Sequence, residues 1–351
     1  VSPLIALMKD QVDQMTQLGI GAVRLNSALE PEAYRHGVER IKNGTARLLY
    51  IAPESLLKPN IIELLKSVSL AGLAIDEAHC ISFWGHEFRP EYRQLETLRQ
   101  YFPAIPCAAF TATATPRVRA DIKTCLGLGE AQEFLASFNR ENLFLEVRPK
   151  QDAWAQLLDV IRRFPNDAGI VYCATRKQVD ALHIQLREAG IPALPYHAGL
   201  GDAERTANQE RFLREDTCIM VATVAFGMGI DKPNIRFIVH HDLPKSLEHY
   251  YQEIGRAGRD GLPAYCLLLL GYGDLTKIRY FIDRMEDPEE QRIARIHLQA
   301  LLNYAEADDC RRVPLLAYFG EKFDLDPCGT CDNCRCEATT TRDVTIEAQK
   351  F

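Results

Sequence analysis

The stretch Gly72-Leu73-Ala74-Ile75-Asp76-Glu77-Ala78-His79 decides how this chain folds. A short apolar run leads straight into two carboxylates. Strands buried on both faces of a parallel sheet read as such runs, and their C-terminal edge is where ligands bind. Similar runs occur at Ala46–Ala52 and Cys107–Phe110, with helical patterns at about Leu7–Leu18, Glu32–Lys42 and Arg117–Leu126. Strands alternating with helices predict a doubly wound α/β domain. Phe138–Lys150, with polar and proline punctuation, reads as a linker with one extended segment. A second α/β series follows. Its strands are expected near Gly169–Cys173, Ala193–Tyr196, Cys218–Ala222, Phe237–His240 and Tyr265–Leu270, and its helices near Arg176–Ala189, Ala203–Leu213 and Leu247–Ile254. After Gly271 strand signals stop, and Leu275–Arg284 and Pro288–Ala305 read as helices.

Composition bounds the function. The chain has 351 residues, 47% of them hydrophobic, enough for two or three domains. No apolar run is long enough to span a bilayer, and Val1–Met8 lacks the basic start of a signal peptide. The formal net charge is −7, which argues weakly against nucleic acid, because binding needs local positive grooves rather than a positive whole. Of the eleven cysteines, Cys80, Cys107, Cys125, Cys173, Cys218 and Cys266 are scattered among apolar neighbours and read as reduced core thiols. The rest cluster near the C-terminus. That pattern fits a reducing cytoplasm with one metal site.

Three groups of residues carry chemistry. Asp76 at a strand end can hold Mg²⁺, largely through water, and the adjacent Glu77 can polarise an attacking water. The competing reading is a helix start with acidic first-turn residues; His79 and Thr111-Ala112-Thr113, after another strand, favour a nucleotide site. Far downstream, Gln252-Glu253-Ile254-Gly255-Arg256-Ala257-Gly258-Arg259 sets two guanidinium groups on small-residue spacing, suited to charge developing on a breaking phosphoanhydride. The phosphate cradle GxxxxGK[ST] should precede both. No Gly-Lys dipeptide occurs in the sequence. The cradle is therefore expected upstream of Val1, or the domain never hydrolysed nucleotide.

The second group is Cys80–Tyr92, where Phe83, Trp84, Phe88 and Tyr92 interleave with His86, Arg89 and Arg93. Bases stack on aromatic faces and arginines take phosphates; an aromatic core loop is the alternative. Backbone contacts to a strand are expected from Ser2, Pro3, Thr175, Arg176, His197, Gly199 and Thr223, though each is also an ordinary turn residue. The third group is Cys310, Cys328, Cys331 and Cys334, spaced C-x17-C-x2-C-x2-C. Four convergent thiolates form a closed tetrahedral zinc site. Cys336 is spare, and Arg311 and Arg312 face DNA or solvent. Without metal this small region would lack a core.

Taken together the motifs resemble the RecQ family of superfamily-two DNA helicases, from Val1 to about Cys336. The motif order is Ser2-Pro3-Leu4 with Leu7–Gln11, Asp76–His79, Trp84–Pro90, Phe110–Thr115, Val171–Arg176, Val221–Pro233, Tyr251–Gly261 and the cysteine cluster. The resemblance implies two RecA-like doubly wound lobes, the first incomplete, at 1–140 and 141–272. A helical zinc-binding subdomain follows at 273–336, and 337–351 is a linker or the start of a further domain. It implies ATP, Mg²⁺ and Zn²⁺ as cofactors. Asp76 becomes the metal carboxylate and Glu77 the base. Thr111 and Thr113 link hydrolysis to lobe movement. Gln252, Arg256 and Arg259 line the ATP cleft with Arg259 as the arginine finger, and Gly227, Gly229 and Asp231 form a nucleotide-sensing loop. Trp84, Phe88 and Arg89, with His86 as relay, couple single-stranded DNA to hydrolysis. The implied activity is 3′-to-5′ ATP-dependent unwinding of DNA in repair and recombination. The implied partners are single-stranded DNA and 3′-tailed duplex, with single-strand-binding and other repair proteins. A monomer in the bacterial cytoplasm, at the nucleoid, is implied, and a fragment without its cradle is expected to be inactive. Two competitors stand beside it: an RNA helicase of the same superfamily, and a zinc-stabilised DNA-binding scaffold without catalysis.

Overall fold

The computed structural model describes residues 1–335 except Leu4, Ser27, Ala28, His86, Met228, Gly229 and Asp326. Four short strands build the first lobe: β1 (Ala22–Leu25), β2 (Leu48–Ile51), β3 (Leu73–Ile75) and β4 (Cys107–Ala109). They pair in parallel as β1–β2 and β3–β4. Val1 and Ser2 lie between the two pairs. The Ser2 N–H donates to Ile51 O at 3.1 Å, and Val1 O accepts from the Asp76 N–H at 2.9 Å. The layer thus runs β1, β2, Val1–Ser2, β3, β4. Leu25, Ile51, Ile75, Leu95 and Ile122 are among the residues of its core.

A single six-stranded parallel sheet forms the second lobe. Its strands are β5 (Leu143–Pro149), β6 (Ala168–Tyr172), β7 (Ala193–Tyr196), β8 (Ile219–Ala222), β9 (Ile235–His240) and β10 (Ala264–Leu270), in the order β5-β10-β9-β6-β8-β7. β6, β8 and β9 are buried along their whole length, as strands covered on both faces must be. Helices Ala153–Arg163 and Arg176–Glu188 cover one face through Leu157, Val160, Val179 and Leu186. Helices Asp202–Arg214 and Leu247–Ile254 cover the other through Phe212, Leu247 and Tyr250.

Three expectations change here. Phe138–Lys150 is more than a linker, because β5 pairs with β10 along all seven of its residues. Helices Tyr272–Ile282, Pro288–Ala305 and Arg312–Tyr318 do not want for a core either. Leu275, Leu301, Leu316 and Phe319 join the second lobe's own apolar cluster, and Cys310 and Cys331 belong to it too. Arg311 and Arg312 are buried rather than facing DNA or solvent. Arg311 grips Asp332 and the carbonyls of Tyr304, Ala305 and Ala307. Arg312 donates to the carbonyls of Arg140 and Leu143. A guanidinium has five donors, and a buried one is tolerated because these acceptors satisfy them.

Candidate nucleotide cleft and strand-binding loop

The end of β3 delivers Asp76 and Glu77 to the edge facing the second lobe. Asp76 is fixed through its backbone: its N–H donates to Val1 O, and its carbonyl accepts from the buried Tyr92 hydroxyl at 3.0 Å. Its Oδ1 accepts the Glu77 N–H at 2.9 Å. Glu77 has φ +48° and ψ +43°, and among the described residues it is alone among non-glycines in having positive φ. Such strain persists where surroundings over-determine it, and it gathers at functional sites. Burial first, then repulsion from Asp76 and Glu87, pushes the Glu77 carboxyl up to about 7 against the pull of Arg256 and Arg89. A base poised near neutrality suits general-base work.

His79 is fully buried behind Glu77. Its Nδ1 lies 3.3 Å from Glu77 Oε2 and 2.9 Å from Thr111 Oγ1. Thr111 Oγ1 in turn accepts the Thr113 N–H at 3.3 Å. The chain of contacts then crosses between lobes, because Gln252 Nε2 donates to Thr113 Oγ1 at 3.1 Å.

Gln252 sits in helix Leu247–Ile254, and the arginine turn follows it. Gly258 adopts φ +55°, and a Cβ there would lie 2.5 Å from Asn142 Nδ2 and 2.7 Å from Leu262 O. Only glycine fits such a position. Arg140 clamps the turn by donating to the carbonyls of Gly255, Ala257 and Gly258. Arg256 is buried, its Nε has no hydrogen-bond partner among the described residues, and its charge reaches Glu77. A Cβ on Gly227 would lie 3.6 Å from Arg256 Nη2, so the predicted sensing loop borders this arginine. Arg259 points elsewhere: Nη1 holds Asp231 Oδ1 at 2.8 Å. Arg256 thus acts on Glu77 by its charge, while Arg259, the predicted finger, is paired with Asp231 in this structure.

The aromatic loop folds directly back on the Asp76–His79 turn. A Cβ on Gly85 would lie 2.3 Å from His79 O, so glycine permits the approach. Phe83 and Phe88 stack at 3.9 Å between centroids, and Arg89 reaches Pro3 O at 3.4 Å and Glu87 at 3.7 Å. Trp84 is half-buried and packs against Arg117 and Arg292, neither of which drew notice in the sequence. His86 and Gly229 lie outside the described residues.

The remaining candidates are mixed. Thr175 and Arg176 are exposed beyond β6, where Thr175 Oγ1 caps helix Arg176–Glu188 by accepting the Gln178 N–H. Thr223 follows β8, with its Oγ1 accepting the Ala225 N–H. Ser2 is buried, and its hydroxyl has no hydrogen-bond partner among the described residues. His197 is buried, and both ring nitrogens are occupied, one by Asp180 at 2.9 Å and one by the Gly199 N–H at 3.1 Å.

The sulfurs of Cys310, Cys328, Cys331 and Cys334 lie within 4.8 Å of one another. Tetrahedral zinc with bonds of about 2.3 Å sets its sulfurs about 3.8 Å apart, so the four fit the ion. Burial works to raise the Cys328 thiol, but Thr330 and the neighbouring cysteines prevail and bring it down to about 7. Among the described residues the cysteines are free of disulfides. Cys336 lies outside them.

Three family profiles cover this architecture in order. They are DEAD/DEAH box helicase at residues 1–122, helicase conserved C-terminal domain at 150–261 and RecQ zinc-binding at 272–335. The chain belongs to the RecQ family. It is 43% identical over 350 residues to the ATP-dependent DNA helicase RecQ of Bacillus subtilis, covering 99% of this chain and 59% of that protein. It is 42% identical to the RecQ-like DNA helicase BLM of Xenopus laevis, covering 98% of this chain and 27% of that one. This RecQ-family chain thus spans about half the length of the bacterial relatives it matches. The lobes resemble those of S. cerevisiae Dbp5 bound to RNA and ADP BeF3, with a TM-score of 0.58 at 17% identity over 85% of this chain and 80% of that one. They also resemble the Mycobacterium smegmatis helicase Lhr bound to ssDNA and AMP-PNP, with 0.57 at 20% identity over 82% and 41%. These likenesses show the RecA-like fold. No helix among the described residues is long and apolar enough to cross a membrane.

Proposed function

We propose that this RecQ-family chain is the core of an ATP-dependent DNA helicase that moves 3′-to-5′ along one strand and separates duplex in repair and recombination. The carrying observation is that the Glu77–His79–Thr111–Thr113 chain of contacts is joined across the lobes by Gln252, with the charge of the buried Arg256 acting on Glu77. One side offers a base and the other a buried cation, which is the arrangement phosphoanhydride hydrolysis needs. Asp76 would hold Mg²⁺, which would neutralise the phosphates. Glu77 orients water, Arg256 meets developing charge, and Arg259 joins once it leaves Asp231. The Gln252–Thr113 hydrogen bond senses lobe closure. Gly227, Thr111 and Asp231 complete the cleft.

The strand track runs over Trp84, Phe88, Arg89, Thr175, Arg176 and Thr223. Arg89 supports coupling, since it lies in the aromatic loop yet its charge acts on Glu77. Cys310, Cys328, Cys331 and Cys334 would hold zinc, which locks the region structurally. A phosphate cradle of the GxxxxGK[ST] kind would fit beside β4, which among the described strands pairs only with β3. Ala108, Phe110, Thr111 and Phe134 line a cavity of about 470 Å³ there. The proposal includes weak or no ATPase for residues 1–351 alone, action as a monomer near the nucleoid, and single-strand-binding and repair proteins as partners.

The test is ATP hydrolysis by a chain carrying the cradle. Stimulation by single-stranded DNA well above that by RNA, lost in Glu77→Gln, supports the reading. Equal stimulation by RNA favours the RNA-helicase reading. Strand binding with no hydrolysis in the cradle-bearing chain favours the scaffold.

A further inference from the structure

Trp84 is half-buried, and two guanidinium groups lie against its ring. Arg117, from helix Pro116–Cys125, places its Cζ 3.3 Å from the centre of the indole. Arg292, from helix Pro288–Ala305, places its Cζ 5.2 Å away. The two arginines come from different parts of the molecule, the first lobe and the helices that lead to the cysteine cluster. Glu289 joins them. It accepts from Arg292 Nε at 2.8 Å and from Nη2 at 2.5 Å. The hydrogen bond to Arg292 is the main cause that lowers the Glu289 carboxyl from its ordinary value, and Arg117 adds to it. One carboxylate, two guanidinium groups and one indole thus close on each other across a boundary between subdomains.

That set has the chemistry of a strand contact turned inward. A guanidinium over an indole is held by the same ring face that would hold a base. A carboxylate bidentate to arginine takes the place a phosphate oxygen would take. A base that stacks on the part of the ring a guanidinium occupies has to displace that guanidinium.

We propose that Arg117, Arg292 and Glu289 form a clasp that covers Trp84 in the DNA-free protein, and that a single strand must open it to stack on that ring. Opening also releases helix Pro288–Ala305 from the aromatic loop, so strand arrival at Trp84 is felt in the zinc-bearing region. The inference rests on the reading of Trp84 as a stacking residue.

The sequence has two tryptophans, so Trp154→Phe leaves Trp84 as the sole indole reporter. Residues 1–351 with that change are titrated with an oligothymidylate while Trp84 emission is followed. Adding Arg292→Ala should shift the emission before any DNA is present. It should also tighten strand binding about two- to fivefold, the range set by an exposed cation–π contact. This direction is discriminating, because losing a cation from an ordinary phosphate contact weakens binding. Arg292→Lys keeps a cation over the ring and should bind like the parent. Unchanged emission, or unchanged or weaker binding in Arg292→Ala, overturns the clasp. Trp84→Ala separates the two layers. If it leaves oligothymidylate affinity untouched, the stacking reading itself fails. If it weakens binding while Arg292→Ala does not tighten it, only the clasp fails.

Discussion

Glu77 occupies two unfavourable states at once, a left-handed backbone and a half-buried carboxylate beside Asp76. Left-handed backbone costs a non-glycine about 1 kcal/mol. The raised pKa adds a pH-dependent cost whose sign is fixed. The folded chain holds the Glu77 proton up to about 7, whereas the unfolded chain releases it near 4.5. The stabilising contribution is therefore complete below 4.5 and is lost as pH rises through 7. Glu77→Gln, which cannot ionise, should stabilise the protein by on the order of 2 kcal/mol at pH 8, with the gain shrinking as pH falls towards 5. Denaturant unfolding at both pH values checks this; an equal gain at both would remove the burial argument. In a chain bearing the phosphate cradle, the same constant puts the acidic limb of ATP hydrolysis near neutrality. Activity should fall as pH drops through 7, and Glu77→Gln should lower kcat about 10²–10⁴-fold. A limb near pH 4.5, the ordinary value of the group, would mean that Glu77 is not the base.

The turn before the short helix Asp332–Arg335 does for β5 what another strand would do. Leu145 N–H donates to Thr330 O at 3.1 Å, and Val147 N–H donates to Asp332 Oδ2 at 2.9 Å. Cys331 stands between those two partners, so the cysteine cluster covers the outer edge of the six-stranded sheet. Withdrawing zinc from such a cluster should release that edge without unfolding the sheet, because the helices beside it share the second lobe's core. Chelation, or Cys328→Ser, should raise amide exchange at Leu145 and Val147 by at least tenfold while β6 and β9 stay protected. Uniform exchange across the sheet would show instead that the metal holds the whole lobe. The same strand explains one limit of sequence reading. Along β5, Phe144, Glu146 and Arg148 alternate with Leu143, Leu145 and Val147, the mark of an edge strand, and Pro149 closes it. Charges on one side made it look like a linker. β1 escaped notice because it is four residues long and includes Arg24. By contrast β7 and helices Leu247–Ile254 and Pro288–Ala305 were legible to the residue, since flanking Gly, Pro and Ser set their ends. In the site, Asp76, Glu77 and the arginine turn were legible because their chemistry is contiguous in sequence. The covering of Trp84 by Arg117 and Arg292 was not, because it arises only when distant helices pack.

Across the whole molecule, closure of the cleft depends on a few polar contacts that connect otherwise separate cores. Gln252 reaches Thr113 from the second lobe, and Arg119 reaches Phe319 O from the first at 3.3 Å. Glu321 holds the connecting segment by accepting Ser137 Oγ at 2.5 Å and the Phe138 N–H at 2.7 Å, while Phe138 stacks on Phe319 at 4.6 Å. The apolar cores lie within the lobes, so these contacts set lobe geometry more than stability. Gln252→Ala removes one hydrogen bond between part-buried neutral groups, worth about 0.5–1.5 kcal/mol when made. Shared over a flexible hinge, that loss should shift the balance between closed and open lobes about two- to tenfold, and leave the unfolding midpoint of either lobe nearly unmoved. Small-angle scattering should then give a larger radius of gyration for Gln252→Ala than for the parent, and Thr113→Val should give the same change. The double variant should add nothing further, since both remove one contact. If the two single changes were additive, Gln252 and Thr113 would act through different partners, and the path from Glu77 through His79, Thr111 and Thr113 to the arginine turn would be broken at the crossing that this hydrogen bond provides.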